Sequence, residues 1–168
     1  MRGTLVETNG DRRFVDAESG VEITFADPVV QAVVASPDTA PGFRVVRLVA
    51  STEGNTRGQY AYVVTSTDGA FDAGRAMAGL QEILPEHGRE VRREMRMHAG
   101  RRALEVWLED VPQGELHEGH ALLTTDGRCA VMLIDVLEEG SDASGRASES
   151  LYDGLRFPES ESPADMDD

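Results

Sequence analysis

Four consecutive residues, His117, Glu118, Gly119 and His120, have the composition of a metal centre, because imidazole and carboxylate are the common ligands of Zn²⁺ and related cations. The zincin pattern places its two histidines one helical turn apart, with the glutamate beside the first. Here the segment runs into an alternating apolar stretch. On a strand, positions 117 and 120 point to opposite faces. A bend at Gly119 would bring His117 and His120 together, and Asp135 would then be in reach as a third ligand, with Glu118 as a base. This defines one reading, a metal-dependent hydrolase. The plainer one is a polar lead-in to a strand.

A second constellation surrounds the single tryptophan. Trp107 alternates with Val106 and Leu108 and falls on the charged side of its strand. Arg92, Arg96 and Arg101 lie within reach of it, in a segment that also holds Arg89, Arg93 and Arg102. An aromatic ring ringed by guanidinium groups suits a protein partner, since Trp and Arg dominate interface energetics. The competing reading packs Trp107 under a helix and pairs the arginines with Glu90, Glu94 and Glu105. An acidic partner, or the chain's own tail, would also suit such a patch.

The remaining chemistry is mostly excluded. All 16 basic residues are arginine, so Schiff-base, P-loop and kinase-type lysine chemistry are ruled out. The net charge of −15 opposes non-specific nucleic-acid binding and docking on an anionic membrane. Cys129 is the only cysteine, so no intrachain disulfide forms, and its apolar surroundings predict a core residue rather than a nucleophile. No serine sits in a nucleophile elbow, no glycine-rich dinucleotide fingerprint occurs, and no cofactor is expected.

The elements that position these residues follow from periodicity. Strands are predicted at Phe14-Val15, Gly20 to Phe25, Gln31 to Ala35, Phe43 to Ser51 and Gln59 to Thr67, with a turn at Asp68-Gly69. Asp72 caps a helix marked by Ala73, Ala76, Met77, Leu80 and Leu84 and stopped by Pro85. Arg89 to His98 and Arg101 to Val111 form a hairpin around Ala99-Gly100. Its register sets Met95 against Leu104, Glu94 against Glu105 and Arg92 against Trp107, with Arg96 diagonal to Glu105. His120 to Thr125 and Arg128 to Leu137 form another, joined by a tight Asp126-Gly127 turn. Both of its faces are apolar, Leu122, Val131 and Leu133 on one and Leu123, Met132 and Ile134 on the other, which predicts a central pair covered on both sides. Ala147, Leu151 and Leu155 mark a last helix. The result is an α+β domain over residues 13–157, a central antiparallel sheet of about six to seven strands with helices on its faces. Residues 1–12 read as a flexible leader or short edge segment, and 158–168 as a disordered acidic tail.

Several segments together resemble the PsbP-like fold of the Mog/PsbP superfamily, and its uncharacterised bacterial members above all. They are Gly20-Val21-Glu22-Ile23-Thr24-Phe25-Ala26-Asp27-Pro28, Tyr60-Ala61-Tyr62-Val63-Val64, the helix before Leu84-Pro85, His98-Ala99-Gly100-Arg101-Arg102-Ala103-Leu104-Glu105-Val106, Asp126-Gly127-Arg128, and Ser150-Leu151-Tyr152-Asp153-Gly154-Leu155-Arg156-Phe157. The resemblance implies an α/β/α sandwich in a non-enzymatic adaptor, assembly factor or chaperone, and carries over no functional residue. Many bacterial members bear a signal peptide or anchor. This sequence shows neither, so a soluble, cytoplasmic role similar to that of the Eag-type effector chaperones is expected. A structural part of a larger assembly is the third expectation.

Overall fold

The computed structural model describes residues 3–6, 10–35, 42–51, 58–67, 70–113, 115–137 and 144–158. In chain order the strands are β1 (Gly3–Val6), β2 (Arg13–Val15), β3 (Glu22–Thr24), β4 (Val29–Ala35), β5 (Phe43–Ala50) and β6 (Gln59–Ser66). The helix α1 (Ala73–His87) precedes β7 (Arg89–His98), β8 (Arg101–Gln113), β9 (Glu115–Thr125) and β10 (Ala130–Leu137), and α2 (Ser144–Asp153) precedes β11 (Leu155–Arg156). The fold is α+β and built on a large antiparallel sheet of eight strands in the order β1-β4-β5-β6-β10-β9-β8-β7. A small sheet, β11-β3-β2, stands apart from it.

The strand count therefore exceeds the six to seven expected. Residues 3–6 take the edge position beside β4. Two of the predicted strands leave the large sheet altogether. The side chains of Val21, Ile23 and Phe25 are buried in a cluster with Val46, Leu48, Leu122 and Leu133, so the small sheet lies over one face of the large one instead of extending its edge. Burying both faces of the central strands requires such a cover.

The central pair is where periodicity places it. Leu122, Val131 and Leu133 share one cluster with Leu151 and Tyr152 of α2. Leu123, Met132 and Ile134 share the other with Ala76, Leu80 and Leu84 of α1. The connecting turn differs from expectation. Thr125 pairs with Ala130, so the loop spans 126–129 rather than closing at Asp126-Gly127. The Asp126 carboxylate accepts the backbone N–H of Arg128 at 2.8 Å and of Cys129 at 3.0 Å, and this local capture holds the wider loop. The change moves the register by an even number of residues, so every side chain keeps its face.

Two helix ends also differ from expectation. Asp72 does cap α1, accepting the Arg75 N–H at 3.1 Å. Pro85, however, lies inside the helix, which runs on to His87. The Tyr62 hydroxyl and His87 Nε2 are 2.6 Å apart and both side chains are buried, which anchors the last turn despite the backbone bond that proline forfeits. At the other end of the chain, Leu155 leaves α2 to pair with Ile23 in β11. The Thr24 N–H donates to the Gly154 carbonyl at 3.1 Å. A Cβ at position 154 would lie 2.5 Å from the Thr24 carbonyl oxygen, so this crossing needs glycine.

The turn expected at Asp68-Gly69, most of the loops around 53–58 and 138–144, and the acidic tail beyond Pro158 lie outside the described residues.

Candidate functional site

Strand register assembles a polar row across the large sheet. Arg92 faces Trp107, Trp107 faces His120, His120 faces Asp135, and Asp135 faces Gln59. The row runs from the exposed edge strand β7 into the core. Arg92 is exposed, Trp107 and His120 are half-buried, and Asp135 and Gln59 are buried.

The inner half is a closed hydrogen-bond chain. Ser148, from α2, is 1% exposed and donates to Asp135 Oδ2 at 3.0 Å. Gln59 Nε2 donates to Asp135 Oδ1 at 3.2 Å, and its Oε1 accepts the Ala26 N–H at 2.9 Å. Ser148 Oγ is also 3.2 Å from His120 Nδ1. A serine hydroxyl has one proton, and it goes to the carboxylate, so His120 Nδ1 must donate to Ser148. The order is therefore histidine to serine to aspartate. In a hydrolytic triad the histidine lies between the other two and removes the serine proton. Here His120 carries its own proton toward Ser148, and the hydroxyl is sealed from solvent. This cluster ties α2 to the sheet and does not activate a nucleophile.

Of the metal ligands expected from sequence, register brings His120 and Asp135 opposite one another. Ser148 occupies the space between them. His117 pairs with Val111 further along β9, and its side chain lies outside the described residues.

The outer half of the row holds the tryptophan cluster. The Arg92 guanidinium stacks 4.4 Å from the Trp107 ring centre and also pairs with Glu94. The Trp107 ring meets His120 edge-on, with centroids 6.0 Å apart. Arg96 bridges two carboxylates, 3.3 Å from Glu105 and 2.5 Å from Glu149. Arg101 stacks 4.7 Å over Phe157. Arg92 thus lies directly on Trp107, whereas Arg96 and Arg101 are drawn toward α2 and the C-terminal segment. Beyond them β7 forms the sheet's edge, and among the described residues it pairs with β8 alone. Its opposite face leaves Met95 and Met97 exposed at 58% and 59%.

Sequence reasoning did not find Ser148, which sits in a Ser/Glu-rich stretch without local signal, nor the ion pair at 3.1 Å between buried Asp16 and half-buried Arg44. Burial raises the Asp16 carboxyl, but the Arg44 and Ser19 hydrogen bonds outweigh it and hold the group below its usual value. It also missed His87. Burial, together with the charge of Arg47, lowers the imidazole to about 4, so His87 is neutral inside the fold. Cys129 is a core residue as expected, its thiol pushed up to about 12, first by burial and then by Asp126. It lines a cavity of about 400 Å³ beside the 126–129 loop, away from the polar row.

No family model matches the chain, and no curated protein matches it. Among solved structures, the chain is similar to the solution structure of cyanobacterial PsbP (CyanoP) from Synechocystis sp. PCC 6803, at 13% identity and a TM-score of 0.49, over 91% of this chain and 95% of that one. No helix among the described residues is long and apolar enough to cross a membrane.

Proposed function

We propose that this chain is a non-enzymatic protein-binding module, an adaptor, assembly factor or chaperone-like protein, that engages its partner along β7 and the adjoining Trp107 face. The observation that carries the reading is the edge strand itself. β7 has an unpaired side among the described residues, exposed Val91, Met95 and Met97, and an Arg92–Trp107 stack on its other face. Edge strands recruit extended segments through main-chain hydrogen bonds, and flanking side chains select among them. The arginines and glutamates of β7 then act as a filter against wrong partners.

The reading includes a layered α/β/α arrangement, supported by α1 on one cluster and Leu151 and Tyr152 of α2 in the other. It also includes a cytoplasmic setting, supported by the lone buried cysteine. The hydrolase reading is not favoured, because both Asp135 oxygens already serve the Ser148 and Gln59 bonds and Ser148 stands between Asp135 and His120.

The test is a tagged pull-down from native lysate at low and high salt, followed by measured affinity for the recovered partner. Arg92→Ala with Trp107→Ala should abolish binding while circular dichroism stays native. Unchanged binding by the double variant would remove the surface assignment.

A further inference from the structure

We propose that His98, Glu149 and Asp153 form a site for a divalent transition-metal cation of the Zn²⁺ class. One ligand atom from each of these side chains lies within 4.8 Å of the other two. Glu149 and Asp153 are one turn apart on α2 and share a face, and His98 closes the group from the end of β7. The ligands come from elements far apart in sequence, and the site joins the tip of the β7–β8 hairpin to the helix.

The state of His98 is the second observation. Its Nε2 lies 2.9 Å from the Tyr152 carbonyl oxygen. A carbonyl only accepts, so Nε2 carries a proton and is committed to Tyr152, which leaves Nδ1 as the nitrogen that a cation would take. Metal-binding histidines are oriented in this way, by donating the other ring N–H to a carbonyl or carboxylate. The Tyr152 ring also meets the imidazole edge-on, with centroids 6.1 Å apart, and helps fix its plane.

Local charge fits a dication. Arg96 is shared between Glu149 and Glu105, and Asp153 adds a further carboxylate beside Glu149. The Glu105 bond also gives Arg96 an alternative partner when Glu149 turns an oxygen to the metal. One nitrogen and two oxygen ligands favour Zn²⁺, Co²⁺ or Ni²⁺ over Mg²⁺ or Ca²⁺, which prefer oxygen alone. Because α2 and the hairpin each supply a ligand, binding should stabilise the fold as a clip.

The experiment is calorimetric titration of the EDTA-stripped full chain with ZnCl₂, together with thermal unfolding with and without the metal. The wild type should bind one ion per chain and unfold at higher temperature in its presence. His98→Ala and Asp153→Asn should each weaken binding by roughly tenfold or more and remove the thermal shift. His120→Ala should bind as the wild type does. Asp153 is exposed, so Asp153→Asn keeps the test open should His98→Ala misfold. Absence of saturable binding, wild-type affinity in Asp153→Asn, or loss of binding in His120→Ala would each overturn the site. Displacement of Zn²⁺ by an equal concentration of Mg²⁺ would also overturn it, since that marks diffuse attraction to an acidic surface.

Discussion

The two faces of the large sheet are held by different physics. On the α1 face, Ala76, Leu80 and Leu84 meet Leu123, Met132 and Ile134 in an apolar layer, with Tyr62–His87 as its polar contact at the rim. On the α2 face, the short helix brings Leu151 and Tyr152 into a shared core, but it also brings Ser148 to Asp135, Glu149 to Arg96 and a carbonyl to His98. Apolar burial is non-directional and tolerates small shifts. Hydrogen bonds and ion pairs demand one placement and cost stability when half-made. The α1 face therefore supplies stability, and the α2 face supplies position. A surface that presents Trp107 and the β7 edge reproducibly needs the second kind of packing.

Breaking the α1 face should have the largest effect. Leu80 is 1% exposed, and Leu80→Ala should cost about 2–5 kcal/mol in urea unfolding, from lost transfer energy and the cavity left behind. A loss below that range would mean that the α1 layer is loosely packed.

The same face should respond to acid through His87. Its folded pKa of about 4 lies below the unfolded value of 6.5, so the unfolded chain binds more protons between them. Stability is complete above pH 6.5 and declines as pH falls toward 4, by roughly 3 kcal/mol in all. Unfolding of the wild type and His87→Gln at pH 7 and pH 4.5 isolates this part from the carboxylates. The variant should lose less stability on acidification, and equal losses would show that His87 is not kept neutral.

On the α2 face, Ser148→Ala should cost about 1–3 kcal/mol by removing a hydrogen bond from the buried Asp135 carboxylate. It should also raise hydrogen exchange in α2 while leaving α1 protected. Uniform exchange across both helices would erase the contrast between the faces.

The smallest effect belongs to the hairpin that carries β7. Ala99 has φ 49°, a left-handed conformation that alanine disfavours. Ala99→Asn should raise stability by up to about 1 kcal/mol, read as a higher denaturation midpoint with Arg92 and Trp107 unmoved.

Much of this architecture was legible in the residues. The β7–β8 register, Met95 to Leu104 and Arg92 to Trp107, follows from a short turn and strict alternation, and both are local. The faces of β9 and β10 were legible even with the wrong turn, because the error in register was even and the side-chain period is two. The candidate sites were less legible. His120 and Asp135 stood out as ligand types, but nothing local indicated that Ser148 would come between them. His98, Glu149 and Asp153 lie far apart in the chain, and acidic residues are too common in it to single out any pair.

The sequence by itself determined the period of each segment, the faces of the central strands, the acidic lysine-free surface and the buried character of Cys129. Each of these depends on neighbours within a few residues or on composition alone. Only the tertiary structure decided that β2 and β3 form a separate sheet, that Pro85 stays within α1, and that α2 lies where Ser148 reaches the polar row and Glu149 reaches Arg96. Those outcomes depend on long-range burial and on pairing of polar groups, which are set when distant segments meet and compete for the same partners.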